Sequence, residues 1–382
     1  MTRRANGEGT IRKRADGRWE GRLHFRGPDG ALKEKAVYAK TQKECREKFD
    51  LLKAEVAKGL VVTERQTVGE FLARWLEDVV KPTTRARTHQ GYGQLIRLHL
   101  NPGLGHYQLS NLEPQVVQAF LNAKLAAGLS PRTVQFIRAI LRRALGQALK
   151  WGLVTRNVAT LVDPPRVIRP EFHSFSPEEA TQFLAAVRGD RLEALYGVAL
   201  ALGLRQGEVL GLRWADVDLE KRTLRVRTAL QWLRGDQPKL VEPKTRQSRR
   251  TLPLPAMVVD QLRAHRVRQL EDRLKAGDQW VGGDWDLVFC SLQGRPLNSR
   301  HLVTYFKAIL KRSGLPNIRF HDLRHSCASL LVAQGLHPRV VMEQLGHSTI
   351  KLTMDTYSHV LPELQRQAAD TMDGLFGIAV ID

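Results

Sequence analysis

The sequence predicts a multidomain, mainly α protein in three parts: a small three-stranded β-sheet with one helix, a four-helix domain, and a mixed α+β domain with a small β-sheet. Three observations lead there. The length of 382 residues exceeds what one hydrophobic core ordinarily serves. Strict apolar/polar alternation is confined to short runs, whereas the long amphipathic runs have helical period. A stiff proline-containing stretch, Asp163-Pro164-Pro165 through Arg169-Pro170, separates two differently patterned regions. On this reading the parts cover residues 1–62, 66–163 and 172–382.

In the first part, Trp19, Gly21, Leu23 and Phe25 alternate with Glu20, Arg22, His24 and Arg26, as in a half-buried strand. Turns are expected at Asp16-Gly17 and Gly27-Pro28-Asp29-Gly30. Thr41 and Glu44 form a capping box ahead of a helix running to about Lys58. The face opposite Trp19 and Phe25 carries Arg12, Arg14, Arg22 and Arg26. Such a face is either plain solvated surface or a seat for a polyanion, and the charge of the whole chain favours the second.

The second part opens on another capping box, Thr67 with Glu70, followed by Val68, Phe71, Leu72, Trp75, Leu76 and Val79 on one helical face. Pro82 is expected to stop that helix. Helices follow over Thr84 to about Leu100, Pro114 to Ala127, and from Ser130 as cap with Pro131 at the first position. In the last, Val134, Ile137, Leu141, Ala144, Leu145 and Ala148 make a core stripe, with Arg132, Arg138, Arg142 and Arg143 mostly outside it. Those arginines are candidates for phosphate contact.

The third part begins at Ser176-Pro177-Glu178-Glu179, which supplies cap, first-turn proline and capping-box glutamate. A nearly all-apolar helix, Leu192 to Leu204, then delivers Arg205 at its end. A guanidinium there needs an anion; taken alone, a salt bridge to Glu208 or Asp216 accounts for it. Thr223 to Thr228 alternates as a strand, and a basic β-hairpin element runs from Lys244 to Leu254. A long charged helix from Ala256 to Lys275, a short strand from Asp286 to Cys290 and a helix from Ser299 to Arg312 complete the pattern up to the last stretch.

Sixty Lys plus Arg against thirty-nine Asp plus Glu give a formal charge of +21, so the chain attracts polyanions, nucleic acid foremost. The longest apolar run, Ala194 to Leu204, is far too short for a bilayer, and no apolar segment follows Met1-Thr2-Arg3-Arg4. A cytoplasmic, nucleoid-associated protein without a membrane partner is expected. Cys45, Cys290 and Cys327 are scattered and odd in number, which suits buried thiols rather than disulfides.

The residues suited to chemistry gather late. His321 and Arg324 are three apart, hence on one face of a helix expected to begin at Phe320. Arg324 offers a planar fork to phosphate oxygens, and His321 can exchange a proton near neutral pH. Gly346 ends a later helix just before His347, and Tyr357 follows in a polar segment that leaves its hydroxyl available. A phenol of pKa about 10 attacks phosphorus only in a strongly positive site or beside a base. Arg205, Arg324, His321 and His347 would supply that field without a metal.

Gly203-Leu204-Arg205-Gln206-Gly207-Glu208, Pro243-Lys244-Thr245, His321-x-x-Arg324-His325, Leu345-Gly346-His347 and Tyr357 together resemble the tyrosine recombinase (phage integrase) family in order, type and spacing. The first part is similar to that family's amino-terminal arm-binding domain, whose sheet lies in the major groove, and the second takes the place of its core-binding domain. The resemblance implies a site-specific recombinase acting on double-stranded attachment sites. Tyr357 would form a 3′-phosphotyrosyl link, Arg205 and Arg324 would clamp the phosphate, Lys244 would protonate the leaving 5′-oxygen, and His321 and His347 would assist. It also implies integration or excision of a mobile element by a homotetramer, with accessory DNA-bending and excision factors and no cofactor. The tail Leu375–Val380 resembles the family's segment that docks on a neighbouring protomer, and a strand folded on its own domain fits equally.

Three rivals remain at this level. His321 and His325 form an H-x-x-x-H pair like that of a zinc hydrolase, with His347 as third ligand; Asp322 stands where such a motif wants glutamate. A DNA-binding regulator without catalysis would share the basic modules. A topoisomerase-like nicking and resealing enzyme would share the phosphotyrosine chemistry.

Overall fold

The computed structural model describes residues 9–26, 32–57, 66–168, 173–233, 235, 237–243, 248–346 and 369–374. The chain divides into two compact units, Met1–Arg169 and Pro170–Asp382.

The first unit begins with an antiparallel sheet in the order β1 (Thr10–Lys13), β2 (Trp19–Arg26), β3 (Leu32–Ala39). Helix α1 (Gln42–Ala57) covers one face, and Thr41 Oγ1 accepts from the Glu44 amide at 3.3 Å as the capping spacing requires. Leu23, Phe49 and Leu52 form the centre of this small core. Gly21 lies where α1 crosses; a Cβ there would meet Phe49 at 2.9 Å. On the other face Glu20 is 2% exposed, because Arg12 (2.9 Å) and Arg22 (3.0 Å) close over it. Arg22 also reaches Glu34 at 3.2 Å. The face expected to carry basic residues therefore also contains two carboxylates that hold its arginines in place. Arg26 has no described side chain, and the turn Gly27–Gly30 lies outside the described residues.

The helical part contains α2 (Val68–Trp75), α3 (Lys81–Thr83), α4 (Ala86–Leu95), α5 (Asn101–Leu104), α6 (Pro114–Ala126) and α7 (Pro131–Lys150). The Thr67–Glu70 capping box is complete, with hydrogen bonds of 2.8 and 3.2 Å. The helix ends at Thr83, one residue past Pro82, close to where the proline was expected to stop it. A π turn over Leu76–Val80 joins α2 to α3, with the Lys81 amide donating to the Leu76 carbonyl five residues back. A second π turn, Ile96–Leu100, joins α4 to α5 and precedes Pro102 in the same way. The wider turn relieves the clash between a proline ring and the preceding helical carbonyls, so each proline sits in a last short helical segment that ends one or two residues later. Phe71, Leu72, Trp75, Leu100, Leu121, Ile137 and Leu141 fill one core. Arg132, Arg142 and Arg143 are exposed, whereas Arg138 turns inward and donates to the Val162 carbonyl at 2.7 Å. It anchors the start of the proline connector.

The second unit is built round α9 (Glu193–Leu202), after α8 (Pro177–Ala186) with its full Ser176–Glu179 capping box. Residues 194–200 of α9 are all buried, as a helix apolar on every side must be. Phe183, Tyr196, Phe306 and Phe320 make an aromatic cluster against it. Next come α10 (Gln206–Leu210), a sheet of β4 (Val217–Asp218), β5 (Thr223–Val226) and β8 (Arg250–Pro253), and a separate hairpin of β6 (Ala229–Gln231) and β7 (Lys239–Val241). Thus β8 pairs with β5 and not with β7. Helix α11 (Ala256–Ala276) follows. The strand expected at Asp286–Cys290 is instead two isolated bridges, Arg213↔Leu287 and Cys290↔Pro296. The helices α12 (Ser299–Arg312), α13 (Asp322–Ala333) and α14 (Pro338–Leu345) come last. All three cysteines are free and buried. Among the described residues no helix is long and apolar enough to cross a membrane.

Candidate active site

The site starts at the end of α9. Gly203 caps the helix in the left-handed region (φ 62°), and a Cβ there would fall 2.4 Å from Leu345 Cδ2 and 3.2 Å from Cys327 Sγ. Only glycine lets the end of α9 abut α13 and α14 this closely. Two residues on, Arg205 occupies the cap position of α10. Its Nη1 donates to Glu208 Oε1 (2.8 Å), its main-chain NH donates to Glu208 Oε2 (3.1 Å), and its Nη2 donates to the Gly346 carbonyl (3.0 Å). The salt bridge expected on bland grounds is present with Glu208; Asp216 pairs with Arg227 instead, at 3.3 Å. Yet the Arg205 side chain keeps 38% of its surface open.

Arg324 lies on α13 and is 2% exposed. It donates through Nη1 to the Gly203 carbonyl (2.7 Å) and through Nη2 to the Leu345 carbonyl (2.6 Å). One guanidinium thereby satisfies the carboxyl ends of two helices, α9 and α14, where unpaired carbonyls and the helix dipole both favour a cation. Arg205 and Arg324 are thus brought to adjacent carbonyls immediately before His347.

Helix α13 begins at Asp322, two residues later than expected, and His321 takes the cap position. His321 opens to solvent while Arg324 points inward, so the shared-face expectation holds for neighbourhood and not for exposure. The surrounding protein, then the charges of Arg324, Arg319 and Arg205, keep the His321 pKa below its ordinary value despite an opposing pull from Asp322. Its ring meets that of His325 edge-on at 5.2 Å. Burial first, then His321, pushes His325 down to about 4. Asp322 is engaged with Arg319 at 2.7 Å through both main chain and side chain. Among the described residues no three His, Cys, Asp or Glu side chains converge on a metal-sized site. Lys244, His347 and Tyr357 lie outside the described residues, as does the tail Leu375–Val380.

Two residues of this cluster were not singled out from the sequence as part of the site. Glu208 is 4% exposed; burial raises its pKa, but Arg250 and Arg205 outweigh that and hold it ionised below the ordinary value. Its three-residue spacing from Arg205 was the readable signal. Arg250 reaches Glu208 Oε2 at 3.1 Å from β8, with its side chain 7% exposed. Leu252, two residues on and on the same strand face, is buried, so alternation alone places a charge on the inward side.

The chain resembles known proteins along most of its length. The sequence model of the phage integrase family matches residues 173–363, and that of the phage integrase N-terminal SAM-like domain matches residues 67–125. The chain is 33% identical to a protein named "Tyrosine recombinase XerC-like" from Caldanaerobacter subterraneus subsp. tengcongensis, over 92% of this chain and 94% of that one. It is 31% identical to an integrase of Saccharopolyspora erythraea, over 98% of both. Among solved structures, the Tn1549 transposon integrase in complex with transposon right end DNA shares its fold (TM-score 0.67, 22% identity, 79% of this chain and 100% of that one). So does a lambda integrase tetramer bound to a Holliday junction (TM-score 0.58, 18% identity, 89% and 95%). The chain belongs to the phage integrase family and is a tyrosine-type site-specific recombinase, an enzyme of DNA cleavage and strand transfer.

Proposed function

We propose that this recombinase integrates or excises a mobile element by exchanging strands at double-stranded attachment sites. The Tyr357 hydroxyl gives its proton to His321 or His347 as its oxygen attacks the scissile phosphorus, forms the 3′-phosphotyrosyl bond and displaces the 5′-oxygen, which takes a proton from Lys244. A 5′-hydroxyl of the partner strand later attacks the same phosphorus, returns its proton to Lys244 and releases the tyrosine, which takes its proton back from the histidine. The number of phosphoester bonds is unchanged, so neither ATP nor a cofactor is needed. Arg205 and Arg324 hold the phosphate and offset the charge that grows on its oxygens, with His321 and His347 as hydrogen-bonding or proton-transfer partners. Residues 1–62 bind arm-type sites, 66–163 grip the core site together with 172–382, and four copies assemble on two duplexes. Chromosomal DNA as substrate implies the cytoplasm, with accessory bending and excision factors as further partners.

One observation carries this reading: Arg205 and Arg324, 119 positions apart, donate to the neighbouring carbonyls of Gly346 and Leu345, directly ahead of His347. The partly open Arg205 offers the approach for a phosphate. The test is sheared, nicked chromosomal DNA from the cell that encodes the protein, recovered after denaturation. Wild-type protein should stay covalently linked to fragments sharing one core sequence, and Tyr357→Phe should bind the same fragments without becoming linked. Equal linkage by Tyr357→Phe, or none by the wild type, would overturn the assignment.

A further inference from the structure

The last three carbonyls at the end of α14 each accept from a different arginine. Arg250 Nε donates to Gln344 (2.6 Å), Arg324 Nη2 to Leu345 (2.6 Å) and Arg205 Nη2 to Gly346 (3.0 Å). Two of these arginines are the phosphate clamp of the reading above; Arg250 has no part in it. Its remaining nitrogens are equally committed, Nη1 to the Ser248 carbonyl (3.0 Å) and Nη2 to Glu208 Oε2 (3.1 Å). Every nitrogen of the guanidinium is therefore satisfied, and each contact falls on a different segment: α14, the turn before β8, and α10.

We propose that Arg250 is a positioning residue for strand cleavage, fixing the Arg205–Glu208 pair against the end of α14 and so against the chain that enters His347. The side chain is too enclosed to be a surface DNA contact. It acts through Glu208, whose Oε2 accepts from both Arg250 Nη2 and the Arg205 main chain. Without Arg250, Glu208 has one guanidinium partner in place of two, the Gln344 carbonyl loses its donor, and Arg205 and the end of α14 are free to shift apart. Only a planar fork spans three acceptors in this way; a lysine ammonium reaches one of them at a time. A displacement of about 1 Å in a phosphate-binding group lowers the rate of a positioned reaction roughly 100-fold.

This inference rests on Arg205 and Arg324 as the clamp, and the test separates the two claims. In the full chain, Arg250→Gln and Arg250→Lys are compared with wild type on the duplex recovered above, measuring affinity and the single-turnover rate of covalent attachment at saturating DNA. Arg250→Gln should bind as wild type and attach about 100-fold more slowly, with Arg250→Lys recovering part of the loss. The Arg250→Gln/Glu208→Gln pair should lose less than the product of the two single losses. Wild-type attachment by Arg250→Gln, a fall in rate matched by an equal fall in affinity, or full recovery by Arg250→Lys would each overturn it. Should the wild type itself attach to no DNA, the catalytic reading fails, and amide hydrogen exchange in the free protein decides the positioning claim. Arg250→Gln should then speed exchange at residues 344–346 relative to the rest of α13 and α14; unchanged exchange would overturn it.

Discussion

Two clusters in this molecule use the same parts: one buried glutamate and a pair of arginines. In the N-terminal sheet Glu20 lies beneath Arg12 and Arg22, whose side chains remain 63% and 34% exposed. In the second unit Glu208 lies beneath Arg205 and Arg250, with Arg324 nearby and almost sealed from solvent. The difference is what the arginines do beyond the glutamate. Those of the sheet are oriented and still available to a ligand. Those of the second unit also carry helix ends, so on the proposed mechanism architecture and chemistry depend on the same guanidinium groups. An arginine count does not distinguish the two; what separates them is which carbonyls the second and third nitrogens reach.

The comparison is broken most severely by Arg324→Gln. Carbonyls of Gly203 and Leu345 would lose their donors in a buried setting, costing about 3 kcal/mol in urea unfolding of the second unit. Covalent attachment should disappear with it. Gly203→Ala tests the same junction from the backbone side. A side chain at φ 62° costs about 1–2 kcal/mol, and the added methyl must displace Leu345, so attachment should slow while DNA affinity stays. Removing residues 1–60 should give the opposite pattern. Binding to distal arm-type sites should weaken, with core-site cleavage retained and the melting of the second unit unchanged. Loss of folding in the remainder would contradict the independence of the small core around Leu23, Phe49 and Leu52.

The smallest effects are in pH. His325, lowered from 6.5 to about 4, must take up a proton more readily when unfolded. Its contribution to stability is complete above pH 6.5 and is lost as pH falls toward 4. Glu20, held at about 2 by its hydrogen bonds to Arg22 and then Arg12, contributes fully above its unfolded value of 4.5 and loses that contribution as pH falls toward 2. Acid titration followed by unit-specific probes should therefore weaken the second unit first. Glu20→Gln should destabilise the sheet module at neutral pH and match wild type near pH 2.

Much of this was legible because it rests on local rules. Capping boxes at Thr67 and Ser176 appear where their spacing puts them, and the all-apolar run that becomes α9 could only be a core helix. Arg205 and Arg324 could be named from motif and chemistry, while their meeting at the end of α14 depends on a fold that no local pattern encodes. Pro82 marked the end of its helix to within a residue, while the π turn just before it, which has no short sequence signature, was not legible. The strand at Asp286–Cys290 failed because its continuous apolar run Leu287–Cys290 is buried on every side and pairs only at single points, Leu287 and Cys290. Arg250 was overlooked because a basic residue in a basic hairpin looks like surface until the burial of Leu252 fixes which face is inward.

The two π turns carry a consequence for how this part of the chain tolerates length change. Each holds one residue more than an ordinary helical turn, and downstream of it the apolar stripe is rotated by about 100°. Trp75 and Val80, on opposite sides of the first turn's start and end, both reach the core only because of that offset. A one-residue deletion within Leu76–Val80 would restore a regular helix, drive the Pro82 ring against a carbonyl and turn the following apolar positions outward. These turns therefore act as frame markers: related chains should accept insertions or deletions between the helices far more readily than within either turn.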